Sequence, residues 1–215
     1  MGVMQEAASL EDRMLDMGRR ARAAALTLAR ASTAQKNAAL IAAAKIISSS
    51  RADILRENAS DCAKAEKAGV TGAMLDRLKL DAKRLDAIAG ALDDVAALPD
   101  PVGRKISEWT RPNGLRIERV RIPIGVIAIV FESRPNVTID ASALCLKSGN
   151  VAILRGGSEA FATSRALHRC FAQGLLEAEL PQDCVQLVPT TDRDAVGYIL
   201  SGLDGAIDLI VPRGG

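Results

Sequence analysis

The sequence predicts an α/β chain in three parts: a helical region over residues 1–103, a β-hairpin over 104–122, and an incomplete parallel sheet with helices on both faces over 123–215. Three observations predict it. Apolar residues recur at spacings of three and four before the first paired prolines, the mark of helices with one buried face. Between 104 and 122 the period falls to two, apolar alternating with charged. From Ile124 onward, short β-branched runs alternate with helical stretches, the grammar of a parallel sheet.

In chain order, Leu10, Met14, Met17, Ala21, Ala24 and Leu28 define a first amphipathic helix. Ser32 and Gln35 then stand three residues apart, the spacing of a capping box for a second helix that turns Leu40, Ile41, Ala44 and Ile47 inward. A third helix runs from Arg51 to Ala68 and closes at Gly69, which suits a left-handed cap. One short and one longer helix follow, stopped by Pro99 and Pro101. Abundant alanine permits close helix packing, so this region reads mostly as scaffold.

"RKISEWT" and "LRIERVRI" are the two arms of the hairpin, with Asn113-Gly114 in its turn. Arg116, Glu118, Arg119 and Arg121 predict a face turned to water or to another chain. Trp109, the one tryptophan, serves either as an anchor at such a contact or as core packing. Beyond the hairpin, the strands are "IGVIAIVF", "VAILR", "CVQLV" and "AIDLIV". Helices are predicted over Val137–Lys147, Glu159–Leu176 and Arg193–Leu200 between them.

Composition excludes several functions. The 48% hydrophobic and 25% charged content is that of a globular chain rather than a disordered one. A net charge of +2 offers no field to recruit nucleic acid, and 2% aromatics leaves few rings to stack on bases. No apolar stretch is long enough to span a bilayer, and "MGVMQEAASLEDRMLDMGRR" has no apolar run of signal-peptide type. A cytoplasmic protein without nucleic-acid or membrane partners is expected. Cys62, Cys145, Cys170 and Cys184 form no CxxC pair, so buried reduced thiols are expected and a metal site is not. His168 lies among arginines in "SRALHRCF" and is given no chemical role.

Parallel sheets bind ligands at the carboxyl ends of their strands. Three such ends carry unusual residues: Glu132, Ser133, Arg134 and Asn136 in "ESRPN", Arg155-Gly156-Gly157-Ser158, and Pro212-Arg213-Gly214-Gly215. An arginine followed by two glycines suits a phosphate, since the guanidinium forks onto oxygens and bare backbone lets N–H groups approach. After Ser158 a helix N-terminus would add its positive end. Neither GxGxxG nor a Walker loop is present, so a dinucleotide would be held otherwise than by the usual glycine-rich turn.

These stretches resemble the γ-glutamyl phosphate reductases (glutamate-5-semialdehyde dehydrogenases), a branch of the aldehyde dehydrogenase superfamily. The resemblance spans about Thr71 to Gly215; "FESRPNVT" and "PRGG" carry the branch, "PIGV" and "SGNVAILR" the wider superfamily. It implies a Rossmann-like parallel sheet of the aldehyde dehydrogenase type. It also implies NADPH-dependent reduction of L-glutamyl 5-phosphate to L-glutamate 5-semialdehyde with release of phosphate, the second step of proline biosynthesis. A cysteine thiolate attacks the acyl phosphate in that family. Arg155 is then expected near the adenosine ribose and the 2′-phosphate of NADP, together with Gly156 and Gly157. Arg213, Gly214 and Gly215 would begin the loop beneath the pyrophosphate.

The strand end "ESRPN" would bring Asn136 to a developing oxyanion, with Ser133 and Arg134 facing the acyl phosphate. Arg134 either recognises phosphate or carboxylate, or pairs with Glu132 and shapes the turn. Members of the family are about twice this long, and their nucleophilic cysteine follows the "PRGG" loop. The expectation is a chain that stops before the catalytic domain, leaves a sheet edge unpaired, and does not turn over alone. The hairpin would be an oligomerisation arm of a homo-oligomer. The alternative reading is a non-catalytic NADP-binding or partner-binding module.

Overall fold

The computed structural model describes residues 9–132 and 134–214. Five helices come first: α1 (Leu10–Leu28), α2 (Thr33–Ser49), α3 (Arg51–Lys67), α4 (Gly72–Leu78) and α5 (Ala82–Ala97). The hairpin strands β1 (Lys105–Thr110) and β2 (Arg116–Val120) follow. Then come β3 (Val126–Phe131), α6 (Pro135–Lys147), β4 (Val151–Arg155), α7 (Phe161–Glu177), β5 (Val185–Leu187), α8 (Asp194–Leu200) and β6 (Leu209–Arg213). The last four strands form a parallel sheet in the order β5-β4-β3-β6. Helix α1 packs on one face and α6 and α7 on the other, with α2, α3 and α5 outside them. One apolar core runs from Met14 on α1 through Ile153 on β4 to Phe171 on α7.

The expected elements are present with shifted ends. Met14, Met17, Ala21, Ala24 and Leu28 are buried on α1 as their spacing predicts, and the Ser32–Gln35 capping box forms. Gly69 closes α3 with φ +85°. Ile41, expected inward, is exposed. Leu40, Ala44 and Ile47 already hold the buried stripe, and the step of about 100° from Leu40 to Ile41 turns the latter outward. β6 starts later than its apolar run and continues through Pro212 and Arg213, which pair with Val130 and Phe131. Proline is tolerated there because β6 is at the sheet edge.

The hairpin stands away from the core. Arg116, Glu118, Arg119 and Arg121 are exposed as expected. Arg116 bridges Glu108 across the two strands at 3.1 Å and Glu118 on its own strand at 2.6 Å. Trp109 is 44% exposed, so it is not core packing within this chain. Gly114 supplies the turn with φ +85°.

Two polar ties lock the strand N-termini. Gly125 enters β3 at φ +128°, where a Cβ would fall 2.0 Å from Asp208 Oδ2. Without it, Asp208 accepts the Val126 N–H at 2.8 Å and pairs with Arg22 of α1 at 2.7 Å. The Arg22 guanidinium holds the Asp208 carboxyl below the usual carboxylate range. The second tie is a buried charge cluster. Lys36 of α2 is 1% exposed and pairs with Asp100 at 2.6 Å. Asp100 also accepts the Thr33 hydroxyl at 2.7 Å and the Val102 N–H at 2.9 Å. Lys147, at the end of α6, donates to Asn37 and to the Ala96 carbonyl.

Candidate functional site

Parallel register brings the three singled-out strand ends to one edge of the sheet. Val130 of β3 lies opposite Arg155 of β4, and Phe131 opposite Arg213 of β6. The chain then leaves β3 through Glu132 into α6. Pro135 takes the first helical position, where its missing N–H costs nothing. It also forces the preceding residue out of the helical region, and Arg134 has φ −129° and ψ 98°. The Arg134 N–H donates to the Glu132 carbonyl at 2.7 Å. The turn thus closes through the backbone, with Arg134 partly exposed.

Arg134 lines three adjoining cavities. The first, about 600 Å³, lies between the end of β4, helix α4 and the loop before α8, and is also lined by Arg77, Glu132, Arg155, Gly157 and Arg193. The second, about 370 Å³, holds Asn136 and Asp140 of α6 against Arg77 and Arg84. The third, about 310 Å³, includes Glu132, Arg213 and Gly214. Arg155 and Gly214 therefore face neighbouring cavities that share Glu132 and Arg134. Arg77, Arg134 and Arg193 take part in no ion pair among the described residues. Positive charge without a partner in a concave site attracts anions.

Arg155 is differently placed. It is 9% exposed. Its Nη1 donates to the Gly156 carbonyl at 2.6 Å, and its Nη2 to the Thr191 carbonyl at 3.1 Å. Its guanidinium thus binds backbone, tying the end of β4 to the loop before α8. The helix expected straight after Ser158 is preceded by a 3₁₀ turn over Ser158–Ala160. The first turn of α7 is capped by Asp61 of α3, whose carboxylate accepts the Thr163 N–H and hydroxyl, both at 2.8 Å. An internal anion already holds the helix end that the sequence reading offered to a phosphate.

Gly156 and Gly214 are needed for packing. A Cβ on Gly156 would lie 3.0 Å from the Phe131 ring, and one on Gly214 2.7 Å from Glu132 Cγ. Asn136 donates to Asp140 at 2.9 Å, so its amide is engaged. Burial raises the Asp140 carboxyl, an effect opposed by that hydrogen bond and by the charge of Arg213. Ser133 and Gly215 lie outside the described residues.

The four thiols are buried and unpaired. Burial raises each of them, Cys145 and Cys184 to about 12. None is poised as a thiolate near neutral pH. His168 faces the Val185 carbonyl at 2.9 Å, and burial lowers its pKa. Among the described residues, no group of acidic, thiol and imidazole side chains is arranged to hold a metal ion. No helix among them is long and apolar enough to cross a membrane.

The sequence reading missed Arg193 and Arg77. The strand-end rule that singled out Arg155 could have reached Arg193, six residues past β5 in "LVPTTDRD". Nothing in the helical pattern of "GAMLDRL" marks Arg77, which only the fold brings to the cavity.

Comparison with known proteins places these features in a lineage. Residues 4–209 match the aldehyde dehydrogenase family. The chain is 59% identical over 202 residues to the γ-glutamyl phosphate reductase of Brucella anthropi, covering 94% of this chain and 47% of that protein. It is also 59% identical over 202 residues to the protein of the same name from Rhodospirillum rubrum, with the same coverage. The crystal structure of γ-glutamyl phosphate reductase from Thermotoga maritima superposes with a TM-score of 0.91 at 41% identity, covering 95% of this chain and 49% of that one. The chain spans about half the length of the curated relatives it matches.

Proposed function

The chain belongs to the aldehyde dehydrogenase family, and from that premise we propose that it supplies the nucleotide-gripping and substrate-gripping half of a γ-glutamyl phosphate reductase. The reaction is the reduction of L-glutamyl 5-phosphate to L-glutamate 5-semialdehyde with release of phosphate, the second step of proline biosynthesis from glutamate. The observation that carries the reading is Arg134, which lines all three cavities at the carboxyl edge of the sheet.

The residues fit a nicotinamide dinucleotide with a phosphorylated ribose. The largest of these three cavities is of the size that holds one nucleotide half, and its guanidinium groups match phosphate charge. NADPH, when bound, supplies the hydride. Arg155, Gly156 and Gly157 shape the wall toward the adenosine ribose. Arg213 and Gly214 border the third cavity, toward the pyrophosphate, and Gly215, next in sequence, is assigned to the same loop. Arg134 faces the acyl phosphate or carboxylate of the substrate, and Ser133, the residue before it in sequence, is a second candidate for that contact. Asn136, oriented by Asp140, borders the second cavity and is our candidate for the oxyanion.

The nucleophilic thiol is not one of the four in this chain, since each is buried with a raised pKa. The hairpin is read as a contact arm of a homo-oligomer, because Ile106, Trp109 and Val120 are exposed on it. The protein is assigned to the cytoplasm, where its thiols stay reduced.

A chimera tests the proposal: this chain joined to the remaining half of the Brucella anthropi relative, assayed for NADPH oxidation with glutamyl phosphate. The reverse reaction from the semialdehyde, NADP and phosphate is a second assay. The chimera should turn over in both directions, while the chain alone should bind NADPH without turnover. Turnover by the chain alone, or a soluble, folded chimera that is inactive, contradicts the reading.

A further inference from the structure

We propose that Arg193 reads the 2′-phosphate of the dinucleotide and that Arg155 is its positioning residue. This assignment rests on the dinucleotide reading of the largest cavity given above.

Arg155 cannot serve the phosphate while it holds its present bonds. One of its terminal nitrogens is taken by the Gly156 carbonyl, and the other by the Thr191 carbonyl at 3.1 Å, with the Asp192 carbonyl at 3.5 Å. Its Nε is buried without a hydrogen-bond partner. Turning the fork onto a phosphate would strand these carbonyls, and that desolvation cost opposes the new bonds. The bonds are better understood as a clamp on the loop between β5 and α8.

Arg193 is the next residue along that clamped loop. It is exposed, lines the same cavity, and takes part in no ion pair among the described residues. Its acidic neighbour is engaged by backbone, since Asp192 Oδ1 accepts the Asp194 N–H at 3.0 Å. The Thr190 hydroxyl accepts the Asp192 N–H at 3.1 Å, stiffening the loop further. A planar fork held on a braced loop is preorganised for a dianion and gains little from a ribose hydroxyl.

Calorimetric titration of the chain with 2′,5′-ADP and with 5′-AMP tests the assignment. Unaltered protein should prefer 2′,5′-ADP. Arg193→Ala should weaken 2′,5′-ADP about 10- to 100-fold and change 5′-AMP less than about twofold, so that the preference collapses; Arg193→Lys should keep part of it. Arg155→Met should speed amide hydrogen exchange at Thr191–Asp194 and reduce the same preference. An unchanged preference in a folded Arg193→Ala protein overturns the assignment. So does Arg155→Met losing the preference while its loop amides exchange as before. Failure of the unaltered protein to bind either ligand defeats the dinucleotide reading itself, and the assignment falls with it.

Discussion

Lys36→Met should lower the free energy of unfolding by about 3 kcal/mol, near the lower end of the range for removing one partner of a buried ion pair. The lower end applies because the Asp100 side chain retains 12% exposure, along with its bonds to the Thr33 hydroxyl and the Val102 N–H. Methionine fills the space of the lysine stem but leaves the carboxylate half-desolvated. Adding Asp100→Asn should recover part of the loss, the signature of a coupled pair. The acid limb checks the same cause. Burial raises the Asp100 carboxyl, but the hydrogen bonds from Lys36, Thr33 and Val102 outweigh it, and the group is held below its ordinary value. A depressed carboxylate adds stability that is fully present above the unfolded pKa, about 4. It is lost as pH falls toward the folded value. The gap between the parent and Lys36→Met should therefore narrow below about pH 4. Urea unfolding at pH 3 to 7 measures it; equal midpoints at neutral pH would remove the cluster from the account.

Gly174→Leu should prevent stable folding, and Gly174→Ala should cost about 2 kcal/mol net. Helix α7 crosses α2 at this glycine. A Cβ there would meet Ala43 N at 2.7 Å, Ala39 O at 2.8 Å and Ala43 Cα at 2.9 Å. These are backbone atoms of a helix and cannot turn aside as a side chain can. Alanine improves helix propensity by about 1 kcal/mol, while overpacking costs about 1–3 kcal/mol or more; backbone contact puts this site at the upper end. Thermal unfolding of the two variants decides it. A more stable Gly174→Ala would mean that α2 and α7 separate easily, contrary to the packing described here.

Much of the scaffold could be read from residues. The Ser32–Gln35 box, Gly69, Gly114 and the four β-branched runs each have a local physical cause that survives folding. What could not be read depends on partners distant in sequence. Lys36 reads as an exposed helix lysine, and nothing near it announces Asp100 sixty-four positions later. Asp61 likewise gives no sign that it caps α7. At the site, the strand-end rule found the right edge of the sheet because chain direction alone sets it. The rule could not say that the guanidinium of Arg155 would turn back onto carbonyls, or that Gly156 makes room for the Phe131 ring. Those outcomes are decided by packing between elements.

The proposed function makes Arg134 the residue that joins the cavities into one site and meets the anionic group of the substrate. Steady-state kinetics of Arg134→Ala in the chimera with the Brucella anthropi half, paired with NADPH titration, tests it most directly. The variant should lose about 100-fold or more in kcat/KM for glutamyl phosphate, with the Kd for NADPH changed less than about threefold. A variant with the parent's kcat/KM would contradict that proposal.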